Sequence, residues 1–418
     1  MYRALLCAAV LLGVPSLHAY SVLTHEAIID SAWDANIRPL LLKRFPQSSP
    51  DDLLHAHAYA YGGCIIQDMG YYPFGSKFFS DLVHYVRSGD FVVNLVRDSQ
   101  DLNEYAFALG ALAHYSADNE GHPIAVNPSV AIQYPKLERK YGRDVTYEDN
   151  PADHLKVEFG FDVLQVARGH YAPQSYHDFI GFEVSKPVLE RAFEDTYSLR
   201  LEDIFNNIDL ALGTYRRTVS HIIPEMTKVA WNLKKDQLKK ADAGITRRRF
   251  VYYLSKASYR KEWDRNYEKP GVGARVLALF FRILPKIGFL RAADYKTPTP
   301  HTTALFETSF DKTMDSYRRH LAEIPRGSLS LANRDFDTGN LTRPTEYRLA
   351  DNTYSKLAIR LADQTTAQVQ PAVVRSILDF YRNLNLPYAT KLHPKDWQKT
   401  LAAVDKLRSL PAVAQAGQ

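Results

Sequence analysis

The sequence predicts an all-α fold: a multi-helix bundle with an additional, mostly helical C-terminal region. Three observations predict it. Apolar residues recur at helical spacing along most of the chain, and alternating strand-like runs are rare. The run His114-Tyr-Ser-Ala-Asp118-Asn-Glu-Gly-His122 places three metal-ligand side chains at i, i+4 and i+8. On an α-helix each four-residue step advances ~400°, so successive side chains drift only ~40° and share one face. His154 and Glu158 repeat the i, i+4 spacing further on.

Taken in order, residues 1–19 read as a secretory signal peptide. Arg3 supplies the charged start, Ala4 to Val14 the apolar stretch, and Leu17-His18-Ala19 the cleavage motif. The stretch is shorter than the ~20 apolar residues of a membrane anchor. The expected location is therefore secreted or periplasmic, with Tyr20 as the mature N-terminus. Cleavage would remove Cys7 and leave Cys64 as the single cysteine, so packing and metal rather than a disulfide must hold the exported chain.

Residues 24–44 read as a first helix, with Thr24 as its cap and Ile28, Ala32 and Ile37 roughly on one side. A second helix spans 51–60 and ends at Gly62-Gly63. Residues 68–75 are dense in Gly, Pro and aromatics and read as a loop. A helix from Phe78 to Ser88 presents His84. Asp101 to Asp118 is strongly apolar and reads as the buried centre. Residues 128–150 read as a polar loop, followed by a helix carrying His154 and Glu158.

Residues 203–232 form a long helical stretch, 293–345 read as loop-rich, and late helices fall near 350–364 and 371–385. The expected division is a helical domain over 20–233 and a C-terminal extension over 234–418. A run rich in Lys and Arg occupies 234–265, the pattern of a solvated helix face. Val276 to Leu290 is apolar between cations; it reads either as a core helix or as a segment for peripheral membrane contact through 270–292. No internal repeat or low-complexity segment is present. The net charge of +5 is mild for 418 residues and demands no anionic partner.

Eight of the 14 histidines fall between residues 55 and 177. A lone histidine on an apolar face is more often a satisfied core residue than a ligand; the ordered combination with carboxylates is what points to metal. His55 and His57 sit on divergent faces of one turn and are set aside as non-ligands. Imidazole and carboxylate donors without thiolate suit zinc in a site that keeps open positions. Asp118, between His114 and His122 on one face, is the natural bridge of a metal pair ~3.5–4 Å apart, the arrangement that suits phosphoester hydrolysis.

This pattern resembles the zinc-dependent phospholipase C family, within the broader group that also holds related zinc nucleases. The resemblance covers roughly residues 20–165. It implies three zinc ions: one held by Asp68, His84, His114 and Asp118, one by Tyr20, His25 and Asp118, and one by His122, His154 and Glu158. Tyr20 stands where the family usually has Trp. The short His-x3-Asp-x3-His spacing is more similar to the phospholipase C/D branch than to the lecithinases and nucleases.

The implied activity is hydrolysis of phospholipid phosphoester bonds by a metal-activated water, with Asp68 orienting or deprotonating that water. Without the resemblance, Asp68 reads as a loop aspartate capping a turn. One alternative is a nuclease on the same scaffold, stacking bases of a nucleic acid on Tyr71, Tyr72 and Phe74. Another is a zinc-stabilised binding protein without catalysis.

Overall fold

A computed structural model describes residues 22–168, 182–219, 236–237, 295–364 and 369–410. Among these there is no strand, only one antiparallel bridge between Arg334 and Leu341. The all-α expectation holds. The signal segment, Tyr20, the basic run at 234–265 apart from residues 236–237, and the apolar segment at 270–292 lie outside the described residues.

Helix α1 (Val22–Ala32) passes through a π-helical turn, Trp33–Ile37, into α2 (Arg38–Arg44). The wide turn has a local cause. Pro39 follows it, and a proline ring clashes with the carbonyl four residues back unless the helix opens. The same device recurs at His122–Val126, just before Asn127-Pro128. Helix α3 (Pro50–Gly63) starts at a capping box: the Ser49 hydroxyl accepts from the Asp52 N–H at 3.2 Å, and the Ser49 N–H donates to the Asp52 carboxylate at 2.9 Å. The expected loop at 68–75 is in part a 3-10 turn, Ile66–Tyr71.

Helix α4 (Lys77–Tyr85) carries His84, and Arg87, at φ 52°, turns the chain into α5 (Ser88–Asp98). Helix α6 (Leu102–Gly121) is the buried centre the sequence predicts. Asp101 caps it by accepting from the Glu104 N–H at 2.8 Å, and every residue from Glu104 to Asp118 is buried. Then come α7 (Asn127–Gln133), α8 (Pro135–Tyr141), α9 (Pro151–Arg168), α10 (Lys186–Tyr197), α11 (Leu201–Ile204) and α12 (Ile208–Arg217). After residue 294 follow α13 (Pro300–Glu323), α14 (Arg348–Ala362), α15 (Pro371–Phe380) and α16 (Pro394–Arg408).

Two stretches expected as loops prove to hold helices. Residues 128–150 hold α7 and α8 rather than only a loop, and the supposedly loop-rich 293–345 opens with the 24-residue α13. In each case a proline that signals a loop stands in the first turn of a helix. There its missing N–H costs nothing and its fixed φ is already helical.

Helix α6 is packed between α3 and α13. On the α3 side the backbones touch: a Cβ on Gly110 would lie 2.1 Å from the Ala60 carbonyl oxygen, and one on Gly63 would lie 1.9 Å from that of Phe107. On the other side the Tyr317 hydroxyl of α13 donates to the Leu109 carbonyl at 2.9 Å. Buried apolar side chains from Val22 to Leu410 join in a continuous core. Among the described residues no helix is long and apolar enough to cross a membrane.

Candidate metal centre

Eight of the nine residues singled out as ligands meet inside this bundle, and Tyr20 lies outside the described residues. Three groups form, each with its donor atoms within 4.8 Å of one another: His25, His114 and Asp118; Asp68, His84 and His114; and His122, His154 and Glu158. All eight side chains are buried. Helix α6 supplies His114 and Asp118, and His122 heads the π-helical turn that follows it. Helix α1 supplies His25, α4 His84, the 3-10 turn Asp68, and α9 both His154 and Glu158.

The two oxygens of Asp118 face different neighbours. Oδ1 lies 3.6 Å from Nε2 of His25, while Oδ2 lies 3.0 Å from Nε2 of His114 and 3.7 Å from Nε2 of His84. Oδ1 of Asp68 is 3.3 Å from Nε2 of His84. In the third group Oε1 of Glu158 lies 2.9 Å from Nε2 of His154 and 3.5 Å from Nε2 of His122. His25 stacks on His114 with ring centroids 4.5 Å apart.

Three imidazoles are oriented from behind. Nδ1 of His84 donates to the Ser80 carbonyl at 2.8 Å, Nδ1 of His114 to the Cys64 carbonyl at 3.0 Å, and Nδ1 of His122 to the Phe336 carbonyl at 2.9 Å. A carbonyl can only accept, so each Nδ1 holds a proton and Nε2 is the nitrogen turned to the interior of its group, where it offers a lone pair once it carries no proton. This is the tautomer a metal ligand requires.

Zinc fits this donor set. Nε2 of His84, His114, His122 and His154, both oxygens of Asp68 and Asp118, and Oε1 of Glu158 have no hydrogen-bond partner among the described residues. A buried polar atom left so costs about 1–3 kcal/mol, and such atoms rarely cluster without a cation to satisfy them. The same observation removes the alternative reading of Asp68, since its carboxylate caps no turn.

The electrostatics show how tightly the groups are coupled. Burial lifts the Asp68 carboxyl to about 6, against the pull of His114 and His84. Burial pulls His84 and His122 down, but their carboxylate partners outweigh it and push both up to about 10. The partners are Asp118 and Asp68 for His84, and chiefly Glu158 for His122. Asp118 is held well below the usual carboxylate range: burial raises it, but the imidazoles of His114 and His84 more than compensate. Burial, reinforced by the His114 imidazole, drives His25 well below its ordinary value.

The residues set aside stay apart from the centre. His55 is exposed. His57 stacks on Trp33 at 3.7 Å and lies 3.1 Å from the Asp30 carboxylate. Of the aromatics, Tyr71 sits 6.0 Å from the His84 ring and 6.3 Å from Tyr147, which in turn is 5.9 Å from His154. Tyr72 instead packs in the core against Tyr215 at 4.8 Å. The spacing pattern had pointed to neither Phe336 nor Asp162. The latter continues the His154, Glu158 step by a further four residues, a signal that could have found it.

The segment that carries all eight candidate ligands matches a known family. Residues 24–207 match the model of the zinc-dependent phospholipase C family. The match begins one residue before His25, and ends beyond Glu158. It is to a family of zinc-dependent hydrolases, and it spans under half of the 418-residue chain. Comparison with curated proteins and with solved structures returns no match. The matched segment thus includes the three donor groups, whereas Phe336, whose carbonyl accepts from Nδ1 of His122, lies more than a hundred residues beyond its end.

Proposed function

We propose that this protein is an exported phosphodiesterase that hydrolyses phospholipid phosphoester bonds through a metal-activated water and carries three zinc ions. The observation that carries the reading is that His114 belongs to two donor groups while Asp118 turns Oδ1 to His25 and Oδ2 to His114 and His84, with His122 of the third group one turn further along the chain. Bound zinc would supply an acidified water and neutralise charge at phosphorus. The chain's own residues do the rest. Asp68 is buried in its group with both oxygens unbonded among the described residues, where it can orient that water and take its proton. The carbonyls of Ser80, Cys64 and Phe336 keep the imidazoles facing inward. Tyr71 and Tyr147 form an aromatic side between His84 and His154, against which a substrate group can rest.

Lipid is favoured over nucleic acid by the domain match and by the position of Tyr72, whose ring is committed to the core rather than to base stacking. The deciding experiment assays the zinc-loaded protein on phosphatidylcholine, phosphatidylinositol and single-stranded DNA. Release of a phosphorylated headgroup or of phosphatidic acid supports the reading and also tells C-type from D-type cleavage. Cleavage of DNA alone identifies the nuclease, and inertness on all three identifies a zinc-stabilised binding protein. Peripheral membrane contact through 270–292 belongs to the same reading: deleting that segment should abolish liposome binding and spare hydrolysis of a soluble ester.

A further inference from the structure

The hold on His122 comes from the far end of the chain. Its Nδ1 donates to the Phe336 carbonyl at 2.9 Å, and Oδ1 of Asp337 lies 3.6 Å from the same nitrogen. Asp337 is itself buried and fixed from several directions. Its Oδ2 accepts from the Tyr85 hydroxyl at 2.9 Å and from the Tyr347 hydroxyl, and its backbone carbonyl accepts from Nδ2 of Asn127 at 2.7 Å. The Phe336 N–H donates to the His84 carbonyl at 3.3 Å, and its ring lies 5.2 Å from that of His84 and 5.5 Å from that of Tyr115. Gly339, at φ +70°, brings its backbone so close to α6 that a Cβ would lie 2.5 Å from the Asn119 carbonyl oxygen. This segment therefore touches the elements that carry His84, His114 and His122, and it does so from outside the matched domain.

We propose that Asp337 is a positioning residue for the zinc group of His122, His154 and Glu158. By pinning the Phe336 carbonyl onto Nδ1 of His122, it aims Nε2 at the shared interior; by its charge it makes that imidazole a stronger donor. Carboxylates and carbonyls behind metal-bound histidines act in this way. The consequence is that the phospholipase C domain is incomplete without the C-terminal half of the chain. This inference rests on the reading of those three residues as zinc ligands.

The test measures zinc content and zinc affinity of the full chain by metal analysis and chelator competition, with cobalt substitution to report the ligand field. Asp337→Asn should weaken one ion by about 10–100-fold and leave the others near wild type. Tyr347→Phe, which keeps the carboxylate and removes one of its anchors, should weaken the same ion less. In a His122→Ala background, Asp337→Asn should have no further effect on that ion. Wild-type affinity for every ion in Asp337→Asn overturns the proposal. So does an equal weakening of all ions, or a full additional loss in the His122→Ala background, because either means that the residue acts on folding rather than through His122. A wild-type chain that binds no zinc overturns the underlying ligand reading instead.

Discussion

Asp118 and His114 stand one turn apart on a single buried helix, with Oδ2 of the carboxylate 3.0 Å from Nε2 of the imidazole. The other oxygen of Asp118 points to His25 on a different helix. A carboxylate so placed turns one oxygen to His25 and the other to His114 and His84, and an amide cannot replace it. Asp118→Asn preserves the shape but removes the charge and one of the two acceptor oxygens. The expected outcome is joint loss of at least one zinc ion and of hydrolysis, read by metal analysis beside a lipase assay. Full activity with normal zinc content would refute the bridging role.

A second relationship links the helix of His154 and Glu158 to the start of the domain. Asp162 accepts from the N–H groups of Leu23 and Thr24 at 3.0 and 3.2 Å and from the Thr24 hydroxyl at 2.6 Å. These backbone donors belong to the first turn of α1, which has no carbonyl of its own to offer them. His25 is the next residue along. Asp162→Ala should destabilise the protein by about 2–4 kcal/mol, since hydrogen bonds to a buried charge are among the stronger ones and two N–H groups are left unpaired. Urea unfolding of the zinc-loaded protein checks the magnitude. An unchanged midpoint would mean that the turn is held by something else.

How much of this could be read beforehand depends on distance along the chain. The His114, Asp118, His122 and the His154, Glu158 patterns are legible because a helix converts local spacing into a shared face. His25, Asp68 and His84 are isolated in the sequence, and only the family resemblance singled them out. Asp337 has no such signal: it meets His122 because the chain returns across α6 more than two hundred residues later. Helices α7, α8 and α13 were hidden by Pro128, Pro135 and Pro300, which punctuate a sequence in the same way whether they end a helix or begin one. The break at Phe205–Asn207 between α11 and α12 interrupts what reads as one long apolar-periodic stretch.

The close passage of α3 over α6 makes its glycines stringent. A methyl on Gly110 or Gly63 would run into a backbone carbonyl, not into a side chain that can rotate away. Relief requires the helices to separate, and α6 cannot move without carrying His114 and Asp118 with it. Gly110→Ala should therefore lower stability by about 1–3 kcal/mol, the range for overpacking a tight interior. It should also weaken zinc binding at the groups containing His114. Thermal unfolding with and without chelator separates the two effects. Wild-type stability in both conditions would show that the contact is looser than the geometry states.

Zinc uptake should be strongly pH-dependent, and the sign follows from the protonation of the ligands. In the metal-free protein His84 and His122 titrate at about 10, so both carry an extra proton at pH 7. A cationic imidazole cannot bind metal, so each must release a proton as zinc enters. Apparent affinity should then rise with pH between 6 and 9, with a slope of about one in log affinity per pH unit for the ion of the His84 group and about one for the ion of the His122 group. Below pH 6 the slope for the ion of the His84 group should steepen toward about two, because Asp68, at about 6, begins to hold a proton as well, while that of the His122 group should not. Calorimetric titration at pH 7.5 in two buffers of different ionisation enthalpy counts the protons directly. A heat that does not change with the buffer would mean that these imidazoles are already neutral before the metal arrives.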